Sequence, residues 1–397
     1  MQQEISLEKK RIESIDLLRG LVMIIMALDH SRDLFHKEAF TGEPLDFATT
    51  TPILYFTRWI THFCAPTFVF LSGLSAWLQS QRKTKKELSR FLVTRGLWLV
   101  LMEITVMSLG ISGDIHYGFF ILQTIWSIGI SMVILGLVIW LPFNIILALA
   151  LLIVFGHNVI DYAEINNNGV VPVWWSFLHR PAILPLWGDH LLGIFYPFLP
   201  WSGLMMLGYC CGKIFTAIEP VRRKKILLRM GIGTVLFFIA LRATNSYGDP
   251  GQWTRQKSML DTFFTFMNVQ KYPPSLLYMS ATIGGALIFL GLVQNTTSRF
   301  AKIIIVYGRV PFFYYILHFY FLHIISVIFY LARGHSLPEG MKGVPGLPFK
   351  FVLPGEGYSL WVVYGMWLAV VIALYPLCRW YDNYKTNHKE KWWLSYL

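Results

Sequence analysis

An aspartate and a histidine stand side by side at the end of the first long apolar segment, as Asp29 and His30. Ionisable groups at membrane depth are costly, so they usually line a cavity or a functional site. Imidazole is suited to general-base catalysis near neutral pH, and a neighbouring carboxylate can select its tautomer. The pair therefore suggests that His30 takes a proton from a hydroxyl or an amine, with Asp29 orienting it. A purely structural role for His30 is equally compatible with the composition.

Polar side chains also interrupt the other apolar segments. Arg58 and His62 are four residues apart, which places them on one face of a helix, and Pro66 predicts a break shortly after them. Such breaks often line binding cavities in membrane proteins. Each residue also has a structural explanation, since His62 can bond a backbone carbonyl and Glu103 can form a buried ion pair. The other polar residues of interest in apolar segments are Arg32, Gln123, Trp126, Arg309, His318 and His323.

The composition is that of an integral membrane protein. Hydrophobic residues make up 55% of the chain and charged residues 14%, against about 25% charged residues in an ordinary soluble domain. The four cysteines lie in apolar stretches without a metal-ligand spacing, so we expect neither a metal site nor a disulfide. The net charge of +12 does not indicate nucleic acid binding, because the basic residues follow the orientation rule of membrane proteins.

Apolar runs long enough to span a bilayer predict an all-α, polytopic membrane protein with about ten transmembrane helices. Most of the 34 lysine and arginine residues fall in segments that such an arrangement places on the same side of the membrane as the N-terminus. Both termini are therefore predicted to be cytoplasmic. We expect one domain over residues 1–397, with a cytoplasmic segment at 1–14 and a cytoplasmic tail at 383–397. The predicted spans are 15–35, 52–80, 91–112, 118–141, 144–162, 191–216, 226–243, 276–295, 302–331 and 358–382. The predicted long outer loops, which would cap an outward-facing cavity, are 36–51, 163–190 and 244–275.

The first predicted span carries a family resemblance. The segment Ile15-Asp-Leu-Leu-Arg-Gly20, followed by His30, resembles the first helix of membrane acyltransferases. In the acyltransferase-3 family, the corresponding histidine is the proposed catalytic residue. The chain is more similar to the bacterial group related to the catalytic domain of heparan-α-glucosaminide N-acetyltransferase. This second resemblance is carried by residues 58–73, by Leu122-Gln-Thr-Ile-Trp-Ser-Ile-Gly129 and by Val310-Pro-Phe-Phe-Tyr-Tyr-Ile-Leu-His318.

The resemblance implies an acyltransferase that takes an acyl group, most often acetyl, from coenzyme A in the cytoplasm. The acceptor would be an extracytoplasmic sugar or lipid-linked glycan hydroxyl or amine. His30 would be the base or the transient acyl acceptor, and His36 is the alternative position for the family's histidine. The residues expected to shape the acceptor site are Arg32, Arg58, His62, Gln123, Trp126 and His318. The residues expected to bind the coenzyme phosphates are Arg82, Lys83, Lys86 and Arg309.

A coenzyme that enters from the cytoplasm has to reach a histidine on the far side of the membrane. His30 lies towards the outer end of the first span, whereas the nucleotide would dock at the inner face, so the pantetheine arm must enter a central tunnel. The expected partners are acyl-CoA, the glycan acceptor and membrane lipids, with no nucleic acid and no metal, and a homodimer is compatible with the sequence. The expected location is the inner membrane of a bacterium.

Two other functions compete with acyl transfer. A proton-coupled transporter of small molecules would use Asp29, His30 and His62 as a polar path, but such folds are often built from repeats and we find no clear repeat. Uptake into protein-containing liposomes without a modified product would favour this hypothesis. A non-catalytic membrane scaffold is the third hypothesis, and it would not bind acyl-CoA.

Overall fold

The structure is a computed structural model. Most of the predicted cytoplasmic segment 1–14 and the last two residues of the predicted tail 383–397 lie outside the described residues. The described residues are 12–46, 49–166, 171–294 and 298–395.

Helices dominate the first half of the described chain. Apolar residues recur there in long runs without the alternation typical of half-buried strands, which favours helices. A 3-10 turn at Thr61–Phe63 separates α2 from α3, and a π-helical turn at Glu103–Met107 separates α4 from α5. The helices are α1 (Glu13–Phe35), α2 (Pro52–Ile60), α3 (Cys64–Ser80), α4 (Lys85–Met102), α5 (Ser108–Ser112), α6 (Thr124–Val138), α7 (Phe143–Gly156), α8 (Asn158–Asn166) and α9 (Val173–Leu178).

The second half is also helical, and it ends in a 3-10 turn at Trp392–Ser395. The helices are α10 (Phe198–Ala217), α11 (Pro220–Thr244), α12 (Met259–Met267), α13 (Leu276–Leu292), α14 (Arg299–Arg309), α15 (Pro311–Ala332), α16 (Leu337–Lys342) and α17 (Leu360–Asn387).

A small sheet was not anticipated from the sequence. Its strands are β1 (Phe119–Leu122), β2 (Ala182–Pro185) and β3 (Leu191–Ile194), in the order β1-β3-β2. Strand β3 pairs in parallel with β1 and antiparallel with β2. The predicted spans 118–141 and 191–216 were therefore wrong at their starts, because each begins as a strand and becomes helical only at α6 and α10.

The structure does not confirm the ten predicted membrane spans. Among the described residues, five helical segments are long and apolar enough to cross a membrane, and α7 with α8 would make a sixth if this bent pair is one span. Helix α1 falls outside this set, since it carries six charged residues between Glu13 and Asp33. The predicted span 302–331 is divided at Val310 into α14 and α15. The break predicted near Pro66 is confirmed by the 3-10 turn that precedes α3.

Two glycines allow α1 to pack directly against α14. A Cβ atom on Gly20 would lie 2.0 Å from the carbonyl oxygen of Ile304, and one on Gly308 would lie 1.8 Å from that of Asp16. Small residues of this kind let helix backbones approach closely in membrane proteins. Arg19 strengthens the same contact, because it donates to the Gly308 carbonyl over 3.0 Å and to Ser75 Oγ over 3.0 Å. The Asp-x-x-Arg-Gly motif therefore joins α1 to α14 and α3.

We expect Gly20→Ala to destabilise the fold. The added methyl group would meet backbone rather than a flexible side chain, and overpacking of this kind costs about 1–3 kcal/mol. The melting temperature of the detergent-purified protein should fall accordingly. Gly233→Ala on α11 is the matched control, because a Cβ there has no heavy atom within 4 Å. Equal melting temperatures for Gly20→Ala and the control would contradict the prediction.

Candidate active site

Two cavities lie along α1 and share three lining residues. The histidine cavity, near the C-terminal end of α1, has a volume of about 90 Å³ and is lined by Asp29, His30 and Arg58 among others. The basic cavity, near the N-terminal end, has a volume of about 810 Å³ and is lined by Arg19 among others. Arg19 and His30 are about 16 Å apart along the helix axis, at 1.5 Å per residue. The residues that line both cavities are Phe68, Thr124 and Tyr315.

His30 is held by α15 and not by its neighbour in the sequence. Its Nδ1 lies 2.7 Å from Nε2 of His318, and its ring stacks on Phe319 with 4.1 Å between centroids. His318 is fully buried, and its Nδ1 lies 3.1 Å from the carbonyl oxygen of Tyr314. The late histidine predicted to shape the site therefore contacts the candidate base directly.

This chain of hydrogen bonds fixes the tautomer of His30. The Tyr314 carbonyl can only accept, so His318 Nδ1–H must donate to it. A neutral His318 then carries its lone pair on Nε2 and accepts from Nδ1–H of His30. The lone pair of a neutral His30 is consequently on Nε2, the nitrogen that a general base needs.

The Asp29 carboxylate forms ion pairs with two arginines. Arg58 Nη1 donates to Asp29 Oδ2, and Arg32 Nη2 lies 3.2 Å from Asp29 Oδ1. Arg32 also donates to Asp33 over 2.5 Å. The expected orientation of His30 by Asp29 is thus replaced in the structure by the hydrogen bond from His30 to His318. Asp29 instead fixes Arg58, which comes from α2, beside the histidine cavity.

A loop supplies a further cation to the histidine cavity. Lys271 and Tyr272, from the predicted outer loop 244–275, line it beside Gln123 and Tyr196. The loop is held by Arg242, whose guanidinium is buried and donates to the carbonyl groups of Gly251, Thr265, Phe266 and Asn268.

Asp249 secures the same loop from within. It accepts from the Gln270 N–H over 2.8 Å and from Ser275 Oγ over 2.6 Å. Burial raises the pKa of the Asp249 carboxyl, although these hydrogen bonds and the charge of Arg242 act in the opposite direction. The loop is therefore a folded wall of the cavity.

Other residues predicted for the acceptor site lie behind the cavity surface. His62 is buried, its Nδ1 lies 3.2 Å from the Arg58 carbonyl, and its own carbonyl accepts from Tyr278. Trp126 packs edge-on against Phe177. The described residues that line the histidine cavity do not include His62, Trp126 or Arg32.

His36, the alternative histidine, follows the last turn of α1. It forms an isolated bridge with Tyr358 and is buried. It is not among the described lining residues of the histidine cavity.

The basic cavity contains half of the predicted coenzyme-binding residues. Lys83 and Arg309 line it, whereas Arg82 and Lys86 are not among its described lining residues. Sequence reasoning missed the contribution of the chain after α17, although its lysines were visible as a basic tail. Within the described part of the chain, the lining includes no aspartate or glutamate. Its lysines and arginines are Arg19, Lys83, Arg95, Arg309, Lys385, Lys389 and Lys391.

A second cluster of ionisable groups lies away from both cavities. Asp161, Glu164 and His179 are buried and each offers a ligand atom within 4.8 Å of the others. Glu164 lies 2.9 Å from His179 Nδ1, and Asp161 lies 3.8 Å from its Nε2. The two carboxylates approach opposite nitrogens of one imidazole ring, and the three side chains together form a cluster that could hold a metal ion, which was not expected from the sequence. The arrangement is that of a carboxylate–imidazole–carboxylate network.

The comparison with known proteins gives one family. The family model described as "Heparan-alpha-glucosaminide N-acetyltransferase, catalytic" matches residues 11–243, which is more than half of the chain. No curated protein matches the chain. The matched segment contains Asp29, His30, Arg58 and Gln123, whereas His318 follows it.

Proposed function

The chain belongs to the heparan-α-glucosaminide N-acetyltransferase catalytic family, and on this premise we propose that it moves an acetyl group from acetyl-CoA to a glycan. It is a multi-pass membrane enzyme of the acyltransferase type. The proposed acceptor is an extracytoplasmic sugar or lipid-linked glycan with a free hydroxyl or amine. The proposed location is a bacterial inner membrane, with membrane lipids around the helices, no nucleic acid partner and a homodimer as the oligomeric state to test.

One observation carries this proposal: a large basic cavity and a small polar cavity that contains His30 lie side by side and share three lining residues. A molecule of coenzyme A has an anionic nucleotide at one end and a thioester at the other, joined by a long thin arm. The basic cavity offers cations for the nucleotide phosphates, and the arm would pass between the shared residues Phe68, Thr124 and Tyr315. Such a path would be the central tunnel that the position of His30 in the sequence requires.

The proposed chemistry uses Nε2 of His30. This nitrogen takes the proton of the acceptor hydroxyl or amine as the acceptor oxygen or nitrogen attacks the thioester carbonyl. The new carbon–oxygen or carbon–nitrogen bond forms, the carbon–sulfur bond breaks, and the coenzyme thiolate receives the proton from the His30 imidazolium. His318 acts as a positioning residue, because its hydrogen bond keeps the proton of neutral His30 on Nδ1.

Charge that develops during transfer has stabilising groups nearby. The Asp29 carboxylate is close enough to favour the His30 imidazolium. Helix α6 begins at Thr124, which lines both cavities, and the first turn of a helix carries a partial positive charge that favours an oxyanion. Arg58, Gln123 and Lys271, which also line the histidine cavity, supply donors for the acceptor.

The proposal predicts that acetyl-CoA raises the melting temperature of the detergent-purified protein. A ligand that binds only the folded state stabilises it by about 2.7 kcal/mol at one hundred times its Kd. The measurement is a melting curve with acetyl-CoA, coenzyme A and, as the control, ATP at equal concentration. A transfer assay with labelled acetyl-CoA and a panel of amino sugars and glycans should then yield acetylated product.

The result that would overturn the proposal is equally specific. The transporter hypothesis would be favoured if neither coenzyme shifts the melting temperature at millimolar concentration and the protein takes up a small molecule into liposomes. A coenzyme-specific shift without uptake would exclude the transporter and the scaffold together.

A further inference from the structure

We propose that the C-terminal segment, from Lys385 in the last turn of α17 onwards, supplies the phosphate-binding wall of the coenzyme site. This inference rests on the proposed function and deepens it, since it assigns the nucleotide end of acyl-CoA to the tail segment (residues 385–395). The tail segment lies beyond residues 11–243, which the family model matches. Its role is therefore argued from the structure of this chain.

The tail segment is packed into the fold. Leu394, in the 3-10 turn, is only 2% exposed and belongs to the main apolar core. Lys391 Nζ donates to the hydroxyl of Tyr384 over 2.6 Å, and the ring of His388 packs on Tyr384 with 4.2 Å between centroids. These contacts fold the chain back under α17, so that the tail segment forms one side of the basic cavity.

The charges of the tail segment suit an anion with several phosphates. Lys385, Lys389 and Lys391 line the basic cavity from this side, Lys83 lines it from the turn between α3 and α4, and Arg309 lines it from the end of α14. Arg309 is tied to Asp382 of α17 over 3.4 Å, which places it next to the tail. Lysine and arginine side chains on several walls of one cavity can donate charge-assisted hydrogen bonds to the phosphates of a polyanion.

The basic cavity also has apolar walls. Phe91, Leu99, Ile128 and Met132 line it together with the cations and the shared residue Thr124. A ligand that matches both parts has a phosphate-rich head, which lies against the tail segment, and a thin arm that leads to His30. Acyl-CoA has this chemistry, whereas a free phosphate or a lipid headgroup satisfies only the basic part.

The test separates the phosphates from the arm. Lys385→Glu combined with Lys389→Glu should weaken the binding of acetyl-CoA by about tenfold or more, because charge-assisted hydrogen bonds to phosphate are lost and repulsion is added. The affinity for S-acetylpantetheine, which has no phosphate, should stay within about twofold of the wild type. Both affinities are measured by titration of the full-length protein in detergent, and the melting temperature without ligand verifies folding.

The matched control is Lys224→Glu combined with Lys225→Glu at the start of α11. This double variant makes the same change in net charge, but its lysines are exposed and are not among the described lining residues of the basic cavity. It should bind acetyl-CoA like the wild type, which would show that position and not net charge is responsible.

Three outcomes would overturn the inference. If the tail variant binds acetyl-CoA with wild-type affinity, the tail segment is not the phosphate site, while the proposed function survives. If acetyl-CoA and S-acetylpantetheine weaken equally, the tail segment only supports the packing of the cavity. If the wild type binds no coenzyme at all, the proposed function fails, and this inference fails with it.

Discussion

Replacing His30 with glutamine is expected to lower kcat/KM for acyl transfer by about 10²- to 10⁴-fold, the usual contribution of a general base. Glutamine keeps a polar side chain against His318 but has no nitrogen that can take a proton. Binding of acetyl-CoA should be nearly unchanged, because the nucleotide is proposed to bind in the basic cavity, whereas His30 lines the histidine cavity. The measurement is steady-state transfer of labelled acetyl groups, beside a melting curve with the coenzyme.

His36→Gln is the matched control for this variant. His36 also belongs to the region after the Asp-x-x-Arg-Gly motif, and from the sequence alone it competes with His30 for the catalytic role. In the structure it lies beyond α1, against Tyr358, so its replacement should leave transfer within about threefold of the wild type. Full activity of His30→Gln, or an equal loss with His36→Gln, would refute the assignment of His30.

The sequence identifies the candidate base because the signal is local. An ionisable residue at the end of an apolar segment marks a candidate functional site, and no distant contact is needed to notice it. The partner of His30 is a different matter, since His318 follows 288 residues later. Sequence spacing suggested the adjacent Asp29 instead, and the rotation of about 100° between successive helix residues turns that side chain towards Arg58.

The orientation rule explains why the coenzyme residues were only partly located. The rule selects every lysine and arginine near a membrane face, and it cannot say which of them turns inward. Lys83 and Lys86 lie close together in the sequence, yet only Lys83 lines the basic cavity. Lys389 and Lys391 reach it because the chain folds back after α17, and this return depends on the packing of Leu394.

Short apolar runs account for the errors in the fold. A run such as Phe119–Leu122 suits a buried strand and a helix equally, because periodicity does not distinguish the two over four residues. The pairing of β1 with β3 decides the matter, and that pairing joins residues about 70 positions apart. The helix break near Pro66 could be predicted, since proline restricts the preceding residues directly.

Removing the charge of Asp29 is expected to destabilise the protein more than any surface substitution. The side chains of Asp29 and Arg58 are 12% and 16% exposed, so the Asp29→Asn variant leaves the Arg58 guanidinium without a counter-charge in a poorly hydrated place. Breaking a buried ion pair in this way costs about 3–5 kcal/mol. Arg32 suffers less, because it keeps its bond to Asp33. The measurement is the melting temperature of the detergent-purified variant.

A double variant separates the ion pair from the local packing. If the cost of Asp29→Asn comes from an unpaired Arg58, then adding Arg58→Met should restore part of the lost melting temperature, because it removes the orphaned charge. Glu38→Gln is the control for charge alone, as the Lys37–Glu38 pair is exposed, 3.9 Å long and worth at most about 1 kcal/mol. Simple addition of the two single losses in the double variant would mean that Asp29 and Arg58 stabilise the site separately, and the ion pair would then have no part in holding α2 against α1.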